Sequence, residues 1–145
     1  RNLRTATMAM SGVKVHDDVV STFNDLKLKH SLRYMICKIS DDGAQVVVEK
    51  KEEASKTYAD FIADIPPNEP RYAVFDFDFT TSDGRPANKI VFISWTPDNA
   101  GKSKFTYAAT KEQVKRALVG LGCEVQATDS SEIAKEAVEE RVRAI

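Results

Sequence analysis

The chain has 145 residues, 42% of them apolar and 30% charged, with a formal net charge of −1. That is one domain's worth of chain, long enough to bury a core without disulfides or a metal ion. So small a net charge excludes a uniform attraction to nucleic acid or anionic membrane, and no apolar run approaches the ~18 residues of a membrane span.

Residues 1–10 carry no periodic pattern and lack the apolar centre of a secretory signal. Met10 before Ser11-Gly12 reads as a natural start, so residues 1–10 are taken as a disordered leader or a non-native remnant and 11–145 as the single domain. Asp17 and Asp18 suit a helix cap, and Val19, Phe23 and Leu26 follow at i, i+4 and i+7, which predicts a helix over 17–29. RYMICKIS (33–40), the Asp-Asp-Gly of 41–43 and AQVVVEKKE then predict a hairpin. A short helix around TYADFIADI would bury Tyr58, Phe61, Ile62 and Ile65 on one side and stop at Pro66-Pro67.

RYAVFDFDFTT (71–81) alternates, with Phe75, Phe77 and Phe79 on one face and Asp76 and Asp78 on the other, the pattern of a strand. After an Asp83-Gly84 turn, KIVFISW (89–95) is a nearly continuous apolar run and predicts a central strand, ended by Pro97. Over 102–121 a helix would turn Tyr107, Val114, Ala117, Leu118 and Leu121 to the sheet, with Lys104, Lys111 and Lys115 in a second stripe and Gly120 and Gly122 as terminators. EVQAT predicts a last strand, and Asp129 caps a final helix to Ile145 with Glu132 at the capping-box position. There is no repeat, no linker and no regular βαβα alternation. The fold class is α+β: one mixed sheet of about five strands with helices on both faces.

Cys37 and Cys123 lie far apart in apolar stretches, which reads as two buried thiols in a reducing cytosol. His16 and His30 fall near helix ends with no Cys or His at ligand spacing, so they read as exposed and no metal site is assigned. Asp76-x-Asp78-x-Thr80 fits the signature of haloacid-dehalogenase-type phosphatases, in which the first Asp attacks phosphorus and Mg²⁺ neutralises charge. Such enzymes need a parallel doubly wound sheet with further Lys and paired-Asp motifs after later strands, and none follow here. An acidic pair on the solvent face of an edge-proximal strand is the ordinary alternative.

The run WTPDNAGKSKFTYAATKEQVKRALVG resembles the signature of the actin-depolymerising factor/cofilin family, in which a Trp-x-Pro-Asp turn leads into Lys-Ser-Lys-Met-x-Tyr-Ala and a long basic helix. SGVKVHDD, FNDLKL, RYMICKI, VVVEKK, TYADF, RYAVFDFDF and EVQATDSSEI match in order, so the resemblance covers residues 11–143. It implies a non-enzymatic protein of the actin cytoskeleton, cytoplasmic and monomeric, without a cofactor. Such a protein binds monomeric and filamentous actin, twists and severs filaments and speeds subunit loss, usually preferring ADP-bound actin. Carried over residue by residue, the actin-monomer surface would comprise Ser11, Gly12 and Val13, then Lys102, Lys104, Lys115 and Arg116, and Asp129 and Glu132. Lys89, Glu140 and Arg141 would form the filament-specific surface, and Ser11 matches the serine whose phosphorylation switches many members off.

There are departures. The PDNAGKSK turn is one residue shorter than the commoner form, Phe105 replaces the usual Met, Ala87 stands where a basic residue often precedes Lys89, and the basic nuclear-localisation run of vertebrate members is absent. A filament-binding, non-severing cousin such as coactosin is the nearer alternative, and the basic stripe could also take phosphoinositide head groups.

The chemistry suits the implied task. Between 102 and 116 five cations face one anion, a local charge of +4, which would steer and orient an acidic partner; from 124 to 145 six acids face three bases, giving −3. Affinity would come from apolar anchors, Phe105 and Val13.

Overall fold

The structure is a computed structural model and describes residues 12–144. Its elements in chain order are β1 (Lys14–Val15), α1 (Asp17–Asn24), a π-helical turn (Asp25–Lys29), β2 (Leu32–Ile39), β3 (Gln45–Glu53), α2 (Tyr58–Asp64), β4 (Arg71–Thr80), β5 (Pro86–Trp95), α3 (Ser103–Ala117), β6 (Cys123–Ala127), α4 (Ser130–Ile133) and α5 (Lys135–Arg143). The strand order is β1-β3-β2-β4-β5-β6. The four long strands pair antiparallel, and the two edge strands, β1 and β6, run parallel to β3 and β5. The sheet therefore has six strands where the sequence suggested about five. The addition is β1, whose two residues are too few to show alternation.

Each face of the sheet carries its own core. On one, Phe75 and Phe77 pack with Tyr34, Tyr58 and Phe61 beneath α2, and Ile133, Val138 and Val142 of α4 and α5 complete the cluster. Ring centroids stand 5.3 Å apart for the edge-on pair Tyr34–Phe61 and 5.0 Å for the tilted pair Tyr58–Phe75, within the range where aromatic packing is favourable. On the other face Val19, Phe23 and Leu26 join Met35, Tyr72, Phe92, Tyr107, Val114 and Leu118 beneath α1 and α3. Cys37 and Cys123 are free thiols on opposite faces, so the sheet itself stands between them.

Several expectations shift in detail. His16, not an aspartate, caps α1: its Nδ1 accepts from the Asp18 backbone N–H at 3.0 Å, and the two acids fill the first turn, where the helix dipole favours them. The helix over 17–29 changes to π geometry at Asp25, keeping Leu26 buried and turning Leu28 out. Ile62 lies off the buried side of α2. α2 is fixed instead by a reciprocal capping box between Thr57 and Asp60. α3 ends at Ala117, four residues early, and just beyond it Lys27 Nζ donates to the Val119 carbonyl at 2.6 Å. Gly120 takes φ 106° there, and a Cβ would meet the Lys27 side chain at 2.9 Å. The final helix breaks at Ala134 (ψ 149°) into α4 and α5. Glu132 reaches past the Asp129 amide to the Thr128 N–H at 2.7 Å.

Candidate functional site

The candidate surface is assembled around α3. At its start Lys102 is exposed, and Phe105 is 67% exposed although it is a large apolar side chain. Lys104 donates to the Asp98 carbonyl at 3.3 Å and sits 5.8 Å from the Phe105 ring centroid, so ammonium and ring form one unit. The loop before α3 is itself pinned: Thr96 N–H donates to the Ala127 carbonyl and Asp98 N–H to the Thr128 carbonyl, both at 3.0 Å. These bonds bring Lys102, Lys104 and Phe105 to the same end of the sheet as Asp129. Asp129 Oδ1 accepts from Glu132 N–H at 2.9 Å, and the Ser131 hydroxyl, with that amide, holds its carboxyl below the usual range. Asp129 and Glu132 thus cap α4 and shape the turn.

The amino-terminal tip reaches α3 by a different route. Gln113 Nε2 donates to the Val13 carbonyl at 2.6 Å, and β1 hydrogen-bonds to the β2–β3 turn through Lys14 N–H and the Ala44 carbonyl at 3.1 Å. Gly12 is exposed, with φ 72°. Val13 is 2% exposed and belongs to the α1–α3 core. This corrects the expectation of Val13 as a surface anchor: its side chain stabilises the fold, and only its backbone borders the surface. Ser11 lies outside the described residues. Gln113 went unnoticed in the sequence, since a lone amide on a helix carries no sign of a partner 100 positions away.

The lysine stripe divides. Lys115 Nζ lies 2.6 Å from Glu124 Oε1 and 3.4 Å from Glu112, and Lys111 Nζ lies 3.2 Å from Glu124 Oε2. Glu124 falls outside the 102–116 window in which a charge of +4 was counted, so that count overstates the open charge of α3. Among the described residues Lys102 and Arg116 make no side-chain ion pair, and both are exposed.

The second group lies towards the other end of β5, about 20 Å from Trp95 at strand rise. Lys89 Nζ donates to the Val142 carbonyl at 3.1 Å, closing the last turn of α5, while Glu140 and Arg141 are exposed on that helix. Lys89 thereby positions the helix that presents the other two.

Asp76 differs from its expected place on the solvent face of an edge-proximal strand. β4 is interior, antiparallel to both neighbours, and Asp76 is 4% exposed. Its carboxylate accepts from the Asn88 amide and meets His30 Nδ1 at 2.8 Å, while Arg33 bonds the Asp76 carbonyl and, at 3.2 Å, Asp78. An antiparallel strand with its first Asp buried and so engaged does not present a nucleophile to phosphorus. Among the described residues no group of three or more His, Cys, Asp or Glu could hold a metal ion, and no helix is long and apolar enough to cross a membrane.

A family model described as cofilin/tropomyosin-type actin-binding protein matches residues 12–143. The chain belongs to that family. Actophorin of Acanthamoeba castellanii is 47% identical over 135 residues, covering 92% of this chain and 97% of that protein. Cofilin of Streptomyces griseoflavus shares the fold with a TM-score of 0.84 at 38% identity, over 92% of this chain and 98% of that one. Human coactosin-like protein has the same architecture (TM-score 0.75, 92% of this chain and 99% of that one) at 19% identity, a likeness of fold alone.

Proposed function

We propose that this chain binds monomeric and filamentous actin, severs filaments and promotes their depolymerisation. The observation that carries the reading is one exposed unit, Lys102, Lys104 and Phe105, on the helix to which Gln113 straps the amino-terminal tip, in a chain that belongs to the cofilin family along its length. Phe105 supplies the apolar anchor, and the two lysines steer and orient it on an acidic partner. Gly12, Arg116 and the turn held by Asp129 and Glu132 would add further contacts with the same partner. Glu140 and Arg141, on the helix closed by Lys89, form a separate patch for a second subunit.

Two patches on different parts of one rigid domain account for severing. A ligand that fits a twisted pair of subunits better than an untwisted pair shifts the filament by the difference between those affinities. Strain then concentrates where decorated and bare stretches meet. Phosphorylation of Ser11 would add about −1.5 to −2 charges next to the strapped tip and repel an acidic partner. Phosphoinositide head groups would compete for Lys102 and Lys104. The protein works as a monomer in the cytoplasm, on the actin cytoskeleton.

Pelleting with filaments, together with microscopy of single filaments, tests the reading. The Lys102→Ala/Lys104→Ala variant should bind at least tenfold more weakly with an unchanged thermal midpoint, since neither side chain lies in the core, and Ser11→Glu should lose co-sedimentation. Undiminished binding by the double variant would sink the proposal. Filaments coated but never shortened would place the chain with the non-severing cousins.

A further inference from the structure

Lys111 and Lys115 stand one helical turn apart on α3, and both ammonium groups close on a single carboxylate. Glu124 gives one oxygen to each, at 3.2 Å and 2.6 Å. It stands on the edge strand β6 beside Gln126, whose Oε1 accepts from Lys111 at 3.2 Å, and Glu112 adds a contact to Lys115 at 3.4 Å. The lysine side chains are only 20% and 27% exposed, so they lie along the strand. Two cations and two anions offset one another here, while Arg116 beside Lys115 stays exposed.

We infer that Glu124 is an internal rival to actin: by holding Lys111 and Lys115 down on β6, it restrains the strength of electrostatic capture and confines steering to the two ends of α3. This rests on the actin-binding reading above. An acidic partner approaching the second half of the helix meets a lysine pair already answered by a carboxylate. To use either cation it must displace Glu124 first. Bonding with Glu124 raises the affinity of Lys115 for its proton. At Glu124, burial works against the charge, yet the bonds to Lys115 and Lys111 prevail and hold the carboxyl below the ordinary range. Lys115 and Glu124 therefore each favour the charged form, and the 2.6 Å contact between them keeps the cluster closed. Its loss would liberate two long, mobile cations within reach of the Lys102–Phe105 unit's partner.

Glu124→Gln keeps the side-chain shape while removing the charge. Glu124→Thr keeps the strand preference and cannot reach either ammonium. Stopped-flow association with labelled actin monomers, run from low to physiological salt, reads the effect. Both variants should associate about two- to fivefold faster at low salt, with a steeper salt dependence. Glu53→Gln on β3, across the sheet, makes the same change in net charge and should alter the rate by less than about 1.5-fold. In a Lys111→Gln/Lys115→Gln background the gain from Glu124→Gln should vanish. No gain in either variant, an equal gain from Glu53→Gln, or a gain that survives without the lysines would overturn the inference while leaving the actin-binding reading intact. A wild-type chain that leaves actin unbound removes both.

Discussion

Val13 separates a surface contact from a structural one. Truncating it to alanine deletes two methyl groups from a site 2% exposed in the α1–α3 core. At about 0.8 kcal/mol per buried carbon the transfer loss is about 1.6 kcal/mol. The hole left beside Val19, Phe23 and their neighbours adds up to about 1 kcal/mol, because a close-packed core relaxes only in part. A total near 2 kcal/mol lowers the urea midpoint by about 1 M, for a slope of about 2 kcal/mol/M, with that slope unchanged. The thermal midpoint should fall by about 5–8 °C for a chain of this size. Trp95, the sole tryptophan, reports the transition: it is 4% exposed, and its indole N–H donates to the Pro66 carbonyl at 2.8 Å. Actin pelleting under native conditions should stay within about twofold, because the folded fraction scarcely changes. An unshifted midpoint together with weakened pelleting would refute this reasoning and return Val13 to the surface.

Two further perturbations probe the polar parts of the fold. Asp76→Ala should cost about 1–3 kcal/mol by urea titration, as it strips partners from Asn88 and His30, and neither it nor the wild type should turn over a phosphomonoester with Mg²⁺; turnover lost in Asp76→Asn would revive the phosphatase. Asp64 answers to pH: burial works against its charge, but hydrogen bonds from the Tyr34 hydroxyl and from Lys50 at 2.9 Å prevail and lower its pKa from the ordinary 3.8. The unfolded chain then binds more protons near pH 4, so the stabilisation is complete above that ordinary value and lost as pH falls through the depressed one. The urea midpoint should decline below about pH 4, less steeply in Asp64→Asn, and superimposable acid limbs would exclude Asp64 as a contributor.

The fold was legible wherever one periodicity ran long enough. Phe75 and Phe77 against Asp76 and Asp78 announced both the strand and its two faces, and the Tyr107–Val114–Leu118 spacing located α3 on its core. Phe79, the last of the alternating trio, is only partly buried because it lies near the end of β4, beyond the reach of α2. What escaped were contacts with tertiary partners: β1 is held by hydrogen bonds to a distant turn, and the chain past α3 is met by Lys27 at the Val119 carbonyl. The break at Ala134 likewise had no local signal, and the two short helices it separates bury Ile133, Val138 and Val142 in one cluster.

For the candidate site, the composition of α3 could be read from the sequence, but its charge arithmetic misled. Lys102, Lys104 and Phe105 keep their side chains at the surface, where the chemistry that the sequence shows locally stays available. Lys111 and Lys115 carry the same formal charge in the same stripe, yet folding sets Glu124 between them, from a short strand that the sequence did not connect with α3. Lys89 shows the same effect, because its ammonium is occupied by the end of α5. A cation contributes to an encounter only through the field it leaves uncompensated, and that field depends on which carboxylates and carbonyls the topology brings within about 4 Å. Two stripes of identical sequence charge can therefore differ in grip. On this argument the decisive quantity for α3 is the number of lysines that β6 leaves unpaired, which the Glu124→Gln comparison measures directly.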